Sequence, residues 1–128
     1  MSGLTYIRIA NALDQAGLRW YPEIGDEVSE RMDLTKVSIL VDPAGMTPNE
    51  LRETYLWLPS VEQLVQQIEA RQAILFHTGL ELTSGSMGYK TVVQFNSGQI
   101  EAIGESVRES LGLALKELLI RGAGAPLH

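Results

Sequence analysis

His77 has the side chain best suited to acid–base chemistry in this chain, since the other histidine is the last residue. A catalytic histidine needs a carboxylate to orient it and a nucleophile or water within hydrogen-bond reach. Asp42, Glu50 and Glu81 are acids that could serve, but the sequence does not place them near His77. A protein metal site usually takes about three or four ligands, which scattered acids do not supply. We therefore expect His77 to be a structural or surface histidine, and we predict no catalytic residue, no metal site and no cofactor.

A second candidate group consists of Arg52, Tyr55 and Trp57, which follow one another at short spacing. Arginine and large aromatic side chains supply much of the binding energy at protein interfaces. If Tyr55 and Trp57 face outward, they form such a binding patch together with Arg52. The alternative is that Trp57 fills the core under a helix predicted over 60–72. The candidate binding residues are therefore Arg52, Tyr55, Trp57 and His77.

Acidic residues crowd the stretch 23–33, where five acids accompany a single arginine, Arg31. The acids and glycine of a calcium-binding EF-hand loop are not present at the required spacing. The stretch is predicted to be a solvated loop, and a cation site or a patch for a basic partner is the alternative. The glycines of 84–88 lie between predicted strands and not before a helix, so they predict no phosphate-binding loop.

Length and charge narrow the classes of protein further. The chain has 128 residues, no cysteine and a formal net charge of −6. This length fits one domain, predicted over 1–122 with a flexible tail at 123–128. An acidic surface disfavours nucleic acid and anionic membranes as partners, and the absence of cysteine excludes thiol chemistry. No apolar run approaches the ~20 residues of a membrane span, and the first residues lack a signal-peptide pattern, so a soluble cytoplasmic protein is expected.

Apolar periodicity and capping signals predict where the helices lie. The apolar stripe of 106–120 begins with an S-x-x-E capping box at Ser106, and this helix is expected to organise the second half of the chain. Similar patterns predict helices over 5–16 and 60–72. Thr47 and Pro48 predict the start of a shorter helix that runs to about residue 57, although 55–58 could instead form a strand.

Runs of β-forming residues predict the strands, at 18–24, 36–42, 73–82, 89–95 and 99–103. Pro22 places the first of them at a sheet edge or a bulge, and Gly79 is a candidate bulge in the third. Antiparallel hairpins beside three helices indicate an α+β fold, a two-layer sandwich in which the hairpins pack against the helices.

The segments TVVQF-NSG-QIEAIGES and SVRESLGLALKEL give residues 60–120 a helix, a strand meander and a leucine-rich final helix, in that order. This layout resembles the small phage-derived α/β sandwich domains of unknown function. The resemblance implies a two-layer sandwich and a prophage origin. It brings no active-site residues with it.

The sequence therefore predicts a non-enzymatic protein that acts through protein contacts or self-association. A homodimer is expected, with the second-half sheet or the segment 51–58 in its interface, because the strands of the second half carry little protection against edge pairing. The alternative is a small-molecule or cation-binding protein, or an enzyme, that uses His77 and nearby acids. A third class is an acidic protein that covers the nucleic-acid-binding surface of a basic partner.

Overall fold

The computed structural model describes residues 3–83, 85–96 and 98–123, which form two compact units, Met1–Pro59 and Ser60–His128. The first contains α1 (Gly3–Gln15), β1 (Glu27–Glu30), β2 (Asp33–Ile39), α2 (Pro48–Thr54) and β3 (Tyr55–Trp57). The second contains α3 (Val61–Ala70), β4 (Ile74–Thr83), β5 (Ser86–Phe95), β6 (Gly98–Gly104) and α4 (Val107–Ala123). Within these residues, four helices and two three-stranded antiparallel sheets confirm the predicted α+β fold.

Helix α1 lies where its apolar periodicity predicts it. One face of the helix is buried, through Tyr6, Ile7, Ile9, Ala10 and Leu13. The Tyr6 hydroxyl donates to the Pro59 carbonyl oxygen over 2.7 Å, which joins the start of the first unit to its end. Gly17 has a φ of 105°, a conformation that suits glycine and that ends the helical segment.

The strand predicted at 18–24 is wrong, and the first strand of the chain is β1. The Asp26 carboxylate organises the preceding segment, since it accepts hydrogen bonds from Trp20 Nε1 over 2.8 Å and from the Glu23 amide over 3.0 Å. Pro22 has no N–H with which to join a ladder. The prediction of a solvated acidic loop at 23–33 is also wrong, because β1 and the start of β2 lie within it and Asp26 is buried.

Strand β1 occupies the centre of the first sheet, whose order is β2-β1-β3. Thr47 begins α2 with a complete capping box, in which its side chain and that of Glu50 each accept from the other residue's amide. The helix stops at Thr54, short of the predicted residue 57. Tyr55 has extended backbone angles and pairs with Glu30 of β1, so the strand alternative is correct for Tyr55–Trp57.

The second unit has the predicted architecture of a meander covered by a helix. Its sheet has the order β4-β5-β6, and α4 packs on all three strands. The predicted stripe residues Leu111, Leu115 and Leu118 are fully buried. Helix α3 packs against α4 and begins with a capping box between Ser60 and Gln63.

The hairpin of β4 and β5 is longer than predicted. Strand β5 begins at Ser86, so most of the connection expected over 83–88 is regular ladder, although Ser84 is outside the described residues. The irregularity in β4 lies between Leu75 and His77, at Phe76, and not at the predicted Gly79. A single domain over 1–122 stays a prediction, and 124–128 of the predicted flexible tail lie outside the described residues.

Candidate functional site

A cleft of about 240 Å³ in the first unit brings two of the four candidate residues together. Arg52 and Trp57 both line it. Tyr55 lies between them in the chain, is half-buried in β3 and is not part of the lining. The fourth candidate, His77, belongs to the second unit. The predicted outward-facing patch of Tyr55 and Trp57 is therefore replaced by a recess to which Arg52 and Trp57 contribute.

Uncharged groups hold Arg52 in place at this cleft. Its Nη1 donates to the Trp20 carbonyl oxygen over 2.7 Å, and its Nη2 donates to Asn49 Oδ1 over 2.8 Å. A guanidinium has five N–H donors, so these two bonds fix its orientation and leave donors unused. Neither acceptor is a carboxylate, so these two bonds position the positive charge of Arg52 without neutralising it.

Two further arginines line the cleft, and sequence reasoning did not select them as site residues. Arg31 Nε donates to the Arg52 carbonyl oxygen over 2.8 Å, and Arg31 Nη1 lies 3.5 Å from Asp14 Oδ2. The Arg19 guanidinium lies 5.5 Å from the centroid of the Tyr21 ring. These residues come from separate loops, and the sequence carried no signal that would have grouped them.

The side chain of Trp57 is buried, with only 9% exposed, as the alternative of a core position predicts. Its indole Nε1 is buried and has no hydrogen-bond partner among the described residues. Buried N–H donors almost always have a partner, so such a group calls for an explanation. Trp20, the other tryptophan, also lines the cleft, and its indole N–H is satisfied by Asp26.

His77 lies in a small charged cluster on the sheet of the second unit. Its Nε2 is 3.6 Å from Glu81 Oε2. Lys90 on β5 lies 3.7 Å from Glu81 and 3.3 Å from Glu101 on β6, so its ammonium bridges the two outer strands. All of these side chains are partly exposed, which makes each pair weak. Asp42 and Glu50, the other acids considered as partners for His77, lie in the first unit.

Among residues 3–83, 85–96 and 98–123, no group of three or more histidines and acids is arranged to hold a metal ion. Over the same residues, no helix has both the length and the apolar character needed to cross a membrane.

The outer strand β4 presents an apolar surface to solvent. Its side chains Ile74, Phe76, Leu80 and Leu82 are each more than half exposed, and so is Met87 opposite Leu82 on β5. Residues 86–88 at the start of β5 pair with β4 but have no partner residue on β6. The turn end of the β4–β5 hairpin therefore extends past the third strand. We call this surface the β4 edge.

Comparison with family models, with curated proteins and with solved structures found no significant match for this chain. The resemblance to phage-derived sandwich domains, the prophage origin and the cytoplasmic location remain predictions from the sequence.

Proposed function

We propose that this protein is non-enzymatic and acts through protein contacts, with a homodimer formed through the β4 edge as its basic assembly. The observation that supports the proposal is the exposure of that edge. Strand β4 is ten residues long, is one of the two outer strands of its sheet and carries apolar side chains that are more than half exposed. Unpaired N–H and C=O groups along such a strand form a template for another strand.

Strand β4 has few of the features that normally prevent edge pairing. It contains no proline, and its charged side chain is Glu81, with His77 nearby. The irregularity at Phe76 interrupts one end, but the ladder from His77 to Thr83 is regular. A second copy of the chain is the simplest cover, because twofold symmetry uses the same strand twice.

The residues of β4 favour one register for antiparallel pairing with a second copy. With the twofold axis at Gly79, His77 stands opposite Glu81 of the second copy, and Thr78 stands opposite Leu80. Directly opposed residues share a face of the sheet and interact, and a histidine and a carboxylate are complementary partners. Gly79 has no side chain at the axis, where the two strands meet. The result is a continuous six-stranded sheet across the dimer.

Sedimentation equilibrium at micromolar concentration tests the assembly. We expect twice the chain mass of 14.1 kDa, and a variant Leu82→Lys should weaken the dimer by about tenfold or more, because a lysine protects an edge strand. Ile120→Lys on α4 is the matched control, since Ile120 is a similarly exposed apolar residue of the same unit. A single species at the monomer mass contradicts the proposal.

Cysteine cross-linking tests the interface itself, because the natural chain has no cysteine. A side chain at Gly79 meets only His77, at 3.6 Å, so Gly79→Cys should fold normally. With the axis at this residue, the two sulfurs come within disulfide range, and oxidation should give a covalent dimer. Ile120→Cys should cross-link much more slowly. Equal rates for the two variants, with a dimer still present, would rule out the β4 edge as the interface.

The alternative function, ligand or cation binding by His77 and nearby acids, has weaker support. Lys90 already supplies a positive charge between Glu81 and Glu101, so a cation would have to displace it. Calorimetric titration with divalent cations separates the two proposals. Saturable binding that is lost in Glu81→Gln would favour the alternative.

A further inference from the structure

We propose that the cleft of the first unit binds a small organic anion, specifically a carboxylate carried on an apolar or aromatic body. This site is independent of the proposed dimer. It is defined by Arg19, Arg31 and Arg52 together with the side chains of Trp20 and Trp57. Three arginines and one aspartate, Asp14, line it, so its local formal charge is positive in a chain whose net charge is −6.

Two of the three arginines of the cleft, Arg31 and Arg52, are oriented by hydrogen bonds to uncharged oxygens. Arg52 is held by a backbone carbonyl and an amide oxygen, and Arg31 Nε is held by another backbone carbonyl. The carboxylate of Asp14 is 3.5 Å from Arg31, at the outer limit of a hydrogen bond, and it is itself partly exposed. An anion therefore finds guanidinium groups already oriented, with spare donors suited to a forked contact with a carboxylate.

The remaining lining selects the body of the ligand. Ala10, Leu18 and Leu56 are buried apolar residues, and Trp20 and Trp57 add aromatic surface. Trp57 also carries a buried indole N–H without a partner among the described residues, a donor that a small rearrangement on binding could satisfy. The volume of about 240 Å³ lies just below the ~300–1,000 Å³ range of pockets for drug-sized ligands. A single-ring carboxylate fits this space.

Benzoate is the probe, and benzamide is its neutral counterpart of the same shape. Calorimetric titration of the full chain should show binding of benzoate with a Kd of about 1 mM or tighter and much weaker binding of benzamide. Both tryptophans of the chain line the cleft, so their fluorescence should change along the same titration. Inorganic phosphate should bind more weakly than benzoate, because it leaves the apolar lining unfilled. Equal affinity for benzoate and benzamide, or no binding of either, overturns the proposal.

Substitutions then locate the site. Arg52→Gln should weaken benzoate binding by about tenfold, because it removes the oriented guanidinium. Arg19→Gln should weaken binding about threefold. Because the Arg19 guanidinium lies over the exposed Tyr21 ring, this variant serves if Arg52→Gln does not fold. The matched control is Arg8→Gln, which removes the same charge from an exposed position on α1 that does not line the cleft. An Arg8→Gln variant that loses as much affinity as Arg19→Gln overturns the cleft as the binding site.

Discussion

Thr91 Oγ1 and Ser110 Oγ lie 2.7 Å apart in the buried layer between β5 and α4, and neither residue has measurable exposure. Ser110 Oγ also lies 3.1 Å from the Val107 carbonyl oxygen, which can accept from it. Thr78 Oγ1 lies 2.8 Å from Thr91 Oγ1, so the Thr91 hydroxyl is hydrogen-bonded on both sides. The helix and two strands of the second unit are thus joined by one chain of hydroxyl groups.

Thr91→Val removes the middle of this chain without changing the shape of the side chain. We expect a loss of about 1–2 kcal/mol in the free energy of unfolding, because the neighbouring hydroxyls lose a partner inside the protein. Urea denaturation measures it. The control is Thr78→Val, which removes only the outermost, half-buried hydroxyl and should cost less. A Thr91→Val variant as stable as the parent would show that the chain contributes nothing to stability.

Gly104 marks the closest approach of β6 to the first turn of α4. A Cβ at this position would lie 2.8 Å from the Ser110 amide nitrogen and 2.9 Å from Glu109 Cβ, inside contact distance of atoms that cannot easily move. Gly104→Ala should therefore cost about 1–3 kcal/mol by overpacking. The control is Gly122→Ala on α4, where a Cβ meets nothing within 4 Å and removal of a glycine from a helix should be neutral or stabilising. Equal melting temperatures for the two variants would contradict this account of the packing.

The elements that the sequence predicts well are those marked by side chains that lie close together in the chain. The capping boxes at Thr47 and Ser60 form as predicted, because a box needs only residues three apart in the chain. The leucine stripe of α4 is equally local, and the burial of Leu115 follows from its spacing. Local signals fail at β1, where acidic residues flank Val28 and suggest a solvated loop. That strand forms because β2 and β3 pair with it on both sides, and sequence spacing does not reveal such pairing.

The site was predicted only in part, for a related reason. Arg52 and Trp57 were selected by residue type, and both line the cleft. In the sequence, Arg31 is the lone cation of an acidic stretch, and no pattern distinguishes Arg19 as a site residue. The bonds from Arg31 Nε and Arg52 Nη1 end on backbone carbonyls, which every residue carries, so no side-chain pattern in the sequence predicts them.

Leu115→Ala tests the core of the second unit. Leu115 is fully buried on the face of α4 that packs on the sheet, and its truncation should cost about 2–5 kcal/mol through the cavity that remains. Ile120→Ala on the same helix is the control, because Ile120 is about half exposed and its truncation should cost no more than about 0.5 kcal/mol. An unchanged urea midpoint for Leu115→Ala would mean that the leucine stripe of α4 does not pack against the sheet in solution.

Asp26 is the acid of the 23–33 stretch whose removal should matter most. It is 6% exposed, and its Oδ2 accepts from Trp20 Nε1 and from the Glu23 amide, whereas the Glu23 side chain itself is exposed. Asp26→Ala leaves the buried Trp20 indole N–H without its acceptor, so we expect a cost of about 1–3 kcal/mol. Glu23→Ala removes the same formal charge and keeps the backbone amide, so it should shift the urea midpoint little. Because Trp20 lines the cleft, Asp26→Ala should also alter the tryptophan fluorescence of the folded protein, and Glu23→Ala should not. If the two variants unfold at the same urea concentration, Asp26 does not fix the segment between α1 and β1, and the account of why 18–24 is not a strand is wrong.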